Sequence, residues 1–314
     1  MAVHGAPAAG DGAGDADVRR RYLIAGAGGM LGTALRRVLL ERGDEPACPP
    51  ESGFDITDKD AVTREVTRFA ATLRSGERGV LVNAAAYTNV EGAEDDSARA
   101  YLVNEQGARI LAEAATAAGL GFAHVSTDFV FDGSKDGPYL ETDEPNPVSV
   151  YGASKLAGEI AVFDACPDAL TVRTAWVFGA AGANFVTKVI EAARARGELQ
   201  VVSDEVGSPT YTVDLATGIL GLVDAEAAGL FHLAGSDPSG SGPGVSRYDF
   251  ALEILSLARL GDVPVEPVAA GTFPVKAARP ANSVLDCSKA AGLGVTMPPW
   301  PDALAGFMAE FMAG

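Results

Sequence analysis

A tyrosine and a lysine four residues apart stand in the segment YGASKLAGE, at Tyr151 and Lys155. Residues with this spacing lie on the same face of a helix, so we expect the phenol and the ammonium to be neighbours. A phenol has a pKa near ~10 and is a poor acid at neutral pH unless a cation stabilises the phenolate. Lys155 can supply that charge, which makes the pair a candidate for proton transfer. Taken alone, the same spacing is common on solvated helix surfaces.

A run of glycines could bind phosphate. The segment YLIAGAGGMLG, residues 22–32, begins as a short apolar strand and continues into a stretch with helical spacing of leucines. Strand, glycine turn and helix in this order can hold the pyrophosphate of a dinucleotide on backbone N–H groups. The glycines are spaced differently from the usual dinucleotide fingerprint, so a plain strand-to-helix turn is the alternative.

Polar residues also stand where two further apolar runs end. The run 80–82 ends at Asn83 and three alanines, and GFAHV ends at Ser126, Thr127 and Asp128. The carboxyl ends of parallel strands gather at one edge of a sheet, where ligands bind. Thr127 can exchange a hydrogen bond with a substrate oxygen there. Together with the glycine run and the Tyr-Lys pair, this order indicates NAD(P)-dependent reduction of a carbonyl group.

The elements around these residues alternate between strand and helix, which predicts an α/β protein with a doubly wound parallel sheet of Rossmann type. A weak second strand is expected near residues 45–48. We expect a disordered tail over 1–20 and a nucleotide-binding domain over 21–179. Beyond residue 179 the alternation weakens, so 180–314 is expected to form a smaller C-terminal substrate-binding lobe, with some segments returning to the sheet.

The composition excludes several classes of function. A net charge of −18 repels phosphate backbones and anionic membranes, so no nucleic-acid or membrane partner is expected. No stretch approaches the ~20 apolar residues of a membrane span, and the first twenty residues lack the apolar core of a signal peptide. Cys48, Cys166 and Cys287 have no paired spacing, which fits a reducing cytoplasm. The isolated histidines, expected to be structural, are His4, His124 and His232.

Over most of its length the sequence resembles the dTDP-4-dehydrorhamnose reductase family of extended short-chain dehydrogenase/reductases. The likeness runs from Tyr22 to about Met312 and is carried by GAGGMLG, FDIT, NAAAYTNVEGAE, STDFVFDG, ETDEPNPVSVYGASKLAGE, VRTAWVFG, SDEVGSPT and ARPANSVLD. It implies hydride transfer from NADPH, with NADH as an alternative, to C4 of a dTDP-4-keto-6-deoxysugar. The product would be dTDP-L-rhamnose or a related deoxysugar.

The resemblance also implies roles for individual residues. Tyr151 would be the general acid, and Thr127 and Lys155 would complete the catalytic set. The sugar nucleotide would meet Thr127, Asp128, Trp176 and, at its phosphates, Arg279, for which a surface ion pair is the alternative. Pattern and resemblance together place the cofactor against Gly26, Gly28, Gly29, Met30, Leu31, Gly32, Asp55, Ile56, Asn83, Ala84, Ala85, Ala86, Tyr87, Thr88, Val125, Tyr151 and Lys155.

Some positions depart from the family pattern. Phe129 follows Thr127-Asp128 where the related dehydratases have a second acid, so dehydration is not expected. Phe129 and Gly92 also stand where family members often have tyrosine and lysine, which leaves the exact sugar open. Where some members bind magnesium between subunits through glutamates, this chain has Ala34 and Val213 and keeps only Glu310. No metal is therefore expected, and monomer and homodimer both stay open.

The segment ACPP, residues 47–50, bears on the choice of cofactor. It offers no acid to the 2′-hydroxyl of adenosine, which favours NADPH. Arg36 and Arg37 could assist in binding a 2′-phosphate or could be ordinary solvated charges of the first helix.

Two other functions use the same motifs. A sugar-nucleotide epimerase would employ the Tyr-Lys pair but retain NAD through many turnovers. A non-catalytic NADP-binding regulatory subunit would not need Thr127, Tyr151 and Lys155 together, so the intact trio argues against it.

Overall fold

The structure, a computed structural model, describes residues 19–237 and 244–313. Its centre is a parallel sheet of five strands in the order β1-β2-β3-β4-β9. These strands are β1 (Arg19–Ala25), β2 (Glu77–Asn83), β3 (Gly121–Thr127), β4 (Leu170–Thr174) and β9 (Gly229–His232). Ala25 pairs with Asn83, and Thr127 pairs with Thr174. The polar strand ends predicted from the sequence therefore lie along one edge of the sheet.

Helices cover both faces of this sheet, as the prediction of a doubly wound fold requires. Successive side chains of a strand point to opposite faces. Tyr22 and Ile24 accordingly pack with α1 and α8 in one core, while Leu23 and Ala25 pack with α2 and α5 in another. The helices are α1 (Met30–Glu41), α2 (Lys59–Ala70), α3 (Val90–Asp95), α4 (Ser97–Tyr101), α5 (Ala108–Ala117), α6 (Val150–Ala165), α7 (Phe185–Arg196), α8 (Thr212–Asp224), α9 (Arg247–Leu257), α10 (Ser288–Ala291) and α11 (Trp300–Ala313).

A third core lies in the later part of the chain. There Phe178, Phe250 and Phe307 pack together between α7, α9 and α11. Three two-stranded sheets pair β5 with β8, β6 with β11 and β7 with β10. Their strands are β5 (Val177–Phe178), β6 (Leu199–Val202), β7 (Val206–Gly207), β8 (Thr210–Tyr211), β10 (Val245–Ser246) and β11 (Val265–Val268). Since β9 belongs to the central sheet, residues beyond 179 contribute to both parts of the structure.

The structure departs from the sequence-based expectation at two places. The second strand is reduced to one bridge between Leu23 and Ala47, because the prolines around Ala47 lack the N–H groups that a ladder needs. Strand β1 already begins at Arg19, so the last two residues of the predicted tail are strand residues; residues 1–18, with His4, lie outside the described residues. A π-helical turn over Leu102–Gly107 joins α4 to α5.

Candidate active site

A cavity of about 1490 Å³ opens along the carboxyl edge of the central sheet and extends toward α7 and β6. Most of the residues selected from the sequence line it. They are Gly26, Gly28, Gly29, Met30, Leu31, Asp55, Ile56, Ala84, Ala85, Ala86, Thr88, Val125, Thr127, Asp128, Tyr151, Lys155, Trp176 and Arg279. The strand ends thus bring both the candidate cofactor residues and the candidate catalytic residues to one opening.

Gly26, Gly28 and Gly32 of the first loop differ in what a side chain at each position would contact. Gly26 has a φ of +76°, and a Cβ there would stand 2.6 Å from the backbone nitrogen of Ala85. A Cβ on Gly32 would stand 2.1 Å from the Gly26 carbonyl oxygen. Both glycines are therefore required by the packing of the chain on itself. A Cβ on Gly28 would meet no described atom within 4 Å, so packing does not require this glycine, and it leaves open space in front of the loop.

The first turn of α1 faces the same opening. Gly29 is its N-cap and offers no side chain to the free N–H groups of that turn. Gly29, Met30 and Leu31 line the cavity, and the first turn contains no acidic residue. An uncapped helix N-terminus with open space before it fits the pyrophosphate of a dinucleotide.

Helix α6 carries the Tyr-Lys pair. It begins after Ser149, whose hydroxyl accepts a hydrogen bond from the Gly152 nitrogen. A Cβ on Gly152 would meet the Phe129 carbonyl oxygen at 2.1 Å, so this glycine lets α6 approach the end of β3. Tyr151 and Lys155 consequently lie beside Thr127 in the cavity wall.

The protonation of Tyr151 follows from its surroundings. Burial raises the pKa of its phenol to about 12; the Thr127 hydroxyl opposes this shift and the Asp128 charge adds to it. Lys155 donates from Nζ to the Val125 carbonyl oxygen at 2.6 Å and is not among the groups that act on this pKa. One of the three ammonium donors of Lys155 is thus held by a backbone carbonyl, and stabilisation of the phenolate by its charge stays a prediction. At neutral pH Tyr151 is protonated, which is the state that a general acid needs.

Two further ionisable groups in the wall have shifted pKa values. Burial lowers the pKa of Lys155 to about 8, and the Glu159 charge opposes the shift. Burial raises the pKa of Asp128 to about 6, against the effects of Ser283, Thr127 and Arg247. Asp128 is 2% exposed and accepts a hydrogen bond from the Thr127 hydroxyl at 3.0 Å. Its second oxygen has no hydrogen-bond partner within 3.5 Å among the described residues.

A buried ion pair joins α6 to the sheet beneath this wall. Arg173 on β4 donates to both oxygens of Glu159, at 2.9 and 2.7 Å, and the Ser126 hydroxyl donates to the same carboxylate. Both charged side chains are less than 5% exposed. Glu159 follows Lys155 by one helical turn, so the pair fixes the part of α6 that carries the lysine. The sequence analysis assigned no role to either residue.

The chain is similar to known proteins over most of its length. The sequence model described as RmlD substrate binding domain matches residues 20–313. A dTDP-4-dehydrorhamnose reductase of Aggregatibacter actinomycetemcomitans is 39% identical over 90% of this chain and 97% of its own. The chain belongs to the dTDP-4-dehydrorhamnose reductase family. The prediction of an NAD(P)H-dependent oxidoreductase of this family is thereby confirmed.

Two other relatives are similar to the chain over 93% of its length. The crystal structure of the Bacillus anthracis dTDP-4-dehydrorhamnose reductase in complex with NADP is 33% identical, with a TM-score of 0.85, and covers 93% of this chain and 99% of that one. A probable dTDP-4,6-dihydroxy-2-methyloxan-3-one 4-ketoreductase of Streptomyces antibioticus is 37% identical over 93% of this chain and 96% of its own. The reductase fold is confirmed, and relatives named for two different sugars share this level of identity.

Three residues expected at the cofactor in this family member do not line the cavity. Gly32 packs against the Gly26 carbonyl. Asn83 is buried, with its side chain 3.0 Å from Nδ1 of His124 and accepting from the Ala85 nitrogen. The backbone of Tyr87 is held by the Asn104 side chain. These residues support the wall from behind.

The candidate phosphate ligand Arg279 lies at the cavity but is already paired. Its Nη2 is 2.9 Å from Glu91 Oε1, and about a third of the side chain is exposed.

The two arginines of α1 differ in their contacts. Arg37 is bound to Glu310 at 2.6 Å. Arg36 lines the cavity beside Cys48, and among the described residues neither an ion pair nor a hydrogen bond holds its guanidinium. Glu310, the only glutamate expected to remain of a magnesium site, accepts hydrogen bonds from Arg37. Among the described residues no group of His, Cys, Asp or Glu side chains could hold a metal ion, and no helix is long and apolar enough to cross a membrane.

The sequence analysis missed Arg247 and Glu205, which both line the cavity. Arg247 is the first residue of α9, and its guanidinium carbon lies 3.3 Å from the centre of the Trp176 ring. Glu205 stands 3.8 Å from Nε of Arg247. Glu205 belongs to SDEVGSPT, a motif of the resemblance, but Arg247 has no motif that could have indicated its position.

Proposed function

We propose that the protein uses NADPH to reduce the C4 keto group of a dTDP-4-keto-6-deoxysugar, converting dTDP-4-dehydrorhamnose to dTDP-L-rhamnose. The observation that carries this proposal is the joint position of a protonated Tyr151, Thr127 and the uncapped start of α1 on one cavity. The names of the relatives support the class of substrate.

The glycine loop would hold the cofactor. Gly28 leaves open space before the free N–H groups of α1, where the pyrophosphate fits. Asp55 and Ile56 line the same cavity at the expected adenine end, and Val125 lies on the path toward Lys155. When bound, the reduced nicotinamide supplies the hydride for C4.

The chain's own residues would position the substrate and deliver the proton. Tyr151 donates its phenolic proton to the oxygen at C4. The Thr127 hydroxyl, which donates to Asp128 in this structure, would turn to donate to the same oxygen. Lys155 lies one helical turn from Tyr151, where its ammonium reaches the ribose of the cofactor. Asp128, with one free oxygen in the wall, accepts from a hydroxyl of the sugar.

The preference for NADPH rests on Arg36. Its guanidinium lines the cavity next to Cys48, Pro49 and Pro50, a segment without a carboxylate. Arg37 is unavailable to the cofactor because Glu41 and Glu310 bind it. A 2′-phosphate beside Arg36 would gain a charge-assisted hydrogen bond that NADH lacks. Glu51 also lines this region, so both cofactors belong in the assay.

The test is a reduction assay with purified protein. dTDP-4-keto-6-deoxyglucose is supplied with and without a 3,5-epimerase, and oxidation of NADPH or NADH is followed by absorbance. We expect oxidation only after epimerisation, and its loss in Tyr151→Phe. Oxidation without the epimerase would assign a different sugar, and bound NAD in the purified protein would assign an epimerase. If Tyr151→Phe left the cellular role intact, the binding-subunit alternative would stand.

A further inference from the structure

Arg247 has an unusual environment for a charged side chain. Its guanidinium lies between the rings of Trp176 and Phe185, at 3.3 and 5.0 Å from their centres, and about a fifth of the side chain is exposed. Among the described residues its side chain donates no hydrogen bond. The nearest carboxylate oxygen, on Glu205, is 3.8 Å away, which is too far for one.

The side chains that line the cavity carry a net positive charge, whereas the protein as a whole carries a net negative charge. Among the described residues, seven lysine and arginine side chains line it against four carboxylates, although the whole chain carries a net charge of −18. Such an excess of cations favours anionic ligands in the cavity. The glycine loop accounts for one diphosphate, that of the cofactor, and leaves a second anionic group to be accommodated.

We propose that Arg247 binds the phosphate of the substrate's diphosphate that adjoins the sugar. This inference rests on the proposed function, because it assigns a position to part of the same sugar nucleotide. A planar guanidinium with free donors matches phosphate oxygens. Arg279, selected from the sequence, has its Nη2 committed to Glu91 at 2.9 Å at the rim of the cavity.

The neighbours of Arg247 place this phosphate next to the sugar. Trp176 lies directly beneath the guanidinium, and the Arg247 charge acts on Asp128 at the end of β3. Because the guanidinium covers one face of the indole, the sugar meets Arg247 there instead of stacking on that face. Trp176 also packs against Gly207, where a Cβ would come within 2.3 Å of the ring. The indole is thus a support for Arg247.

The experiment compares the binding of dTDP and dTMP to the wild type and to Arg247→Met by calorimetry. dTDP carries the phosphate that adjoins the sugar in the substrate, and dTMP lacks it. We expect Arg247→Met to weaken dTDP binding about 10- to 100-fold, the equivalent of one charge-assisted hydrogen bond or two, and to change dTMP binding less than about twofold. Arg247→Lys, which keeps the charge but loses the planar fork, should fall between.

Arg194→Met is the matched control, because Arg194 lies on α7 in the same part of the structure, is exposed and does not line the cavity. It should bind dTDP as the wild type does. NADPH titration and a thermal melt check that each variant is folded. Equal dTDP affinity of Arg247→Met and wild type, or equal losses for dTMP and dTDP, would overturn the inference while leaving the reductase activity in place. Wild-type protein that binds NADPH but not dTDP would refute the proposed function itself, and this inference with it.

Discussion

Gly28 and Gly32 differ in what an added methyl group would meet, and this difference separates cofactor binding from folding. In Gly32→Ala the new Cβ would stand 2.1 Å from the Gly26 carbonyl oxygen and 2.6 Å from the Ala27 Cα. Both are backbone atoms, so the start of α1 must move away from the loop. Overpacking of this kind costs about 1–3 kcal/mol of unfolding free energy.

In Gly28→Ala the new Cβ would meet no protein atom within 4 Å. The substitution also reduces the freedom of the unfolded chain, so the free energy of unfolding should stay constant or rise by up to ~1 kcal/mol. The methyl group would nevertheless occupy the space in front of the first turn of α1. We expect the dissociation constant for NADPH to rise at least about tenfold, equivalent to ~1.4 kcal/mol.

Urea unfolding without cofactor and NADPH fluorescence titration measure the two effects separately. The expected pattern is a stable Gly28→Ala that binds NADPH poorly and a destabilised Gly32→Ala. If Gly28→Ala bound NADPH with wild-type affinity, the pyrophosphate could not lie on this loop, and the proposed place of the cofactor would be wrong. Unchanged stability of Gly32→Ala would contradict the packing argument.

Three further predictions concern charge. Arg36→Ala should weaken NADPH binding about tenfold and leave NADH binding unchanged in a titration of both, and equal losses would contradict a contact with the 2′-phosphate. Glu159→Gln should lower the free energy of unfolding in urea by about 3–5 kcal/mol, because it leaves Arg173 buried and unpaired. Adding Arg173→Met should recover part of this loss. If the losses of the two single variants simply added up in the double variant, the ion pair would not be the cause. The pKa of Asp128 is about 6 when folded against an ordinary value of 3.8, so the folded state binds more protons between these pH values and loses stability as pH rises. Wild type should therefore lose about 3 kcal/mol relative to Asp128→Asn between about pH 4 and 7, and parallel pH profiles would refute this.

The parts of the fold that depend on neighbouring residues could be predicted. The apolar run before Gly26 and the Tyr-Lys spacing on α6 are both local signals, and each lies where expected. The predicted second strand failed because the pattern of apolar residues was weighed without the prolines that remove its hydrogen-bond donors. The separate reasons for Gly28 and Gly32 could not be read from spacing, since they depend on where the Gly26 carbonyl points.

The missed residues depend on contacts between distant parts of the chain. Arg247 reaches Trp176 only because α9 packs beside α7 and places its first residue over β5. Arg173 would pass as an ordinary strand residue, yet pairing of β3 with β4 brings it to Glu159. Arg247 stands in none of the motifs of the resemblance. Arg173 stands in VRTAWVFG and Glu159 in YGASKLAGE, but nothing in these motifs indicates that the two residues pair. The opposite holds for Arg279. The motif ARPANSVLD indicated this residue, but nothing in the sequence indicated that it pairs with Glu91.

The protonation state of Tyr151 bears on the direction of the proposed reaction. Because burial raises the pKa of Tyr151 to about 12, the phenol holds its proton at neutral pH. Reduction of a ketone starts from the protonated form, whereas oxidation of the alcohol needs the phenolate as a base. An epimerase that alternates between the two steps on each turnover needs both forms to be accessible. A protonated Tyr151 therefore suits the reduction step that we propose, while Lys155, one helical turn away, keeps two further donors beside the one that the Val125 carbonyl accepts.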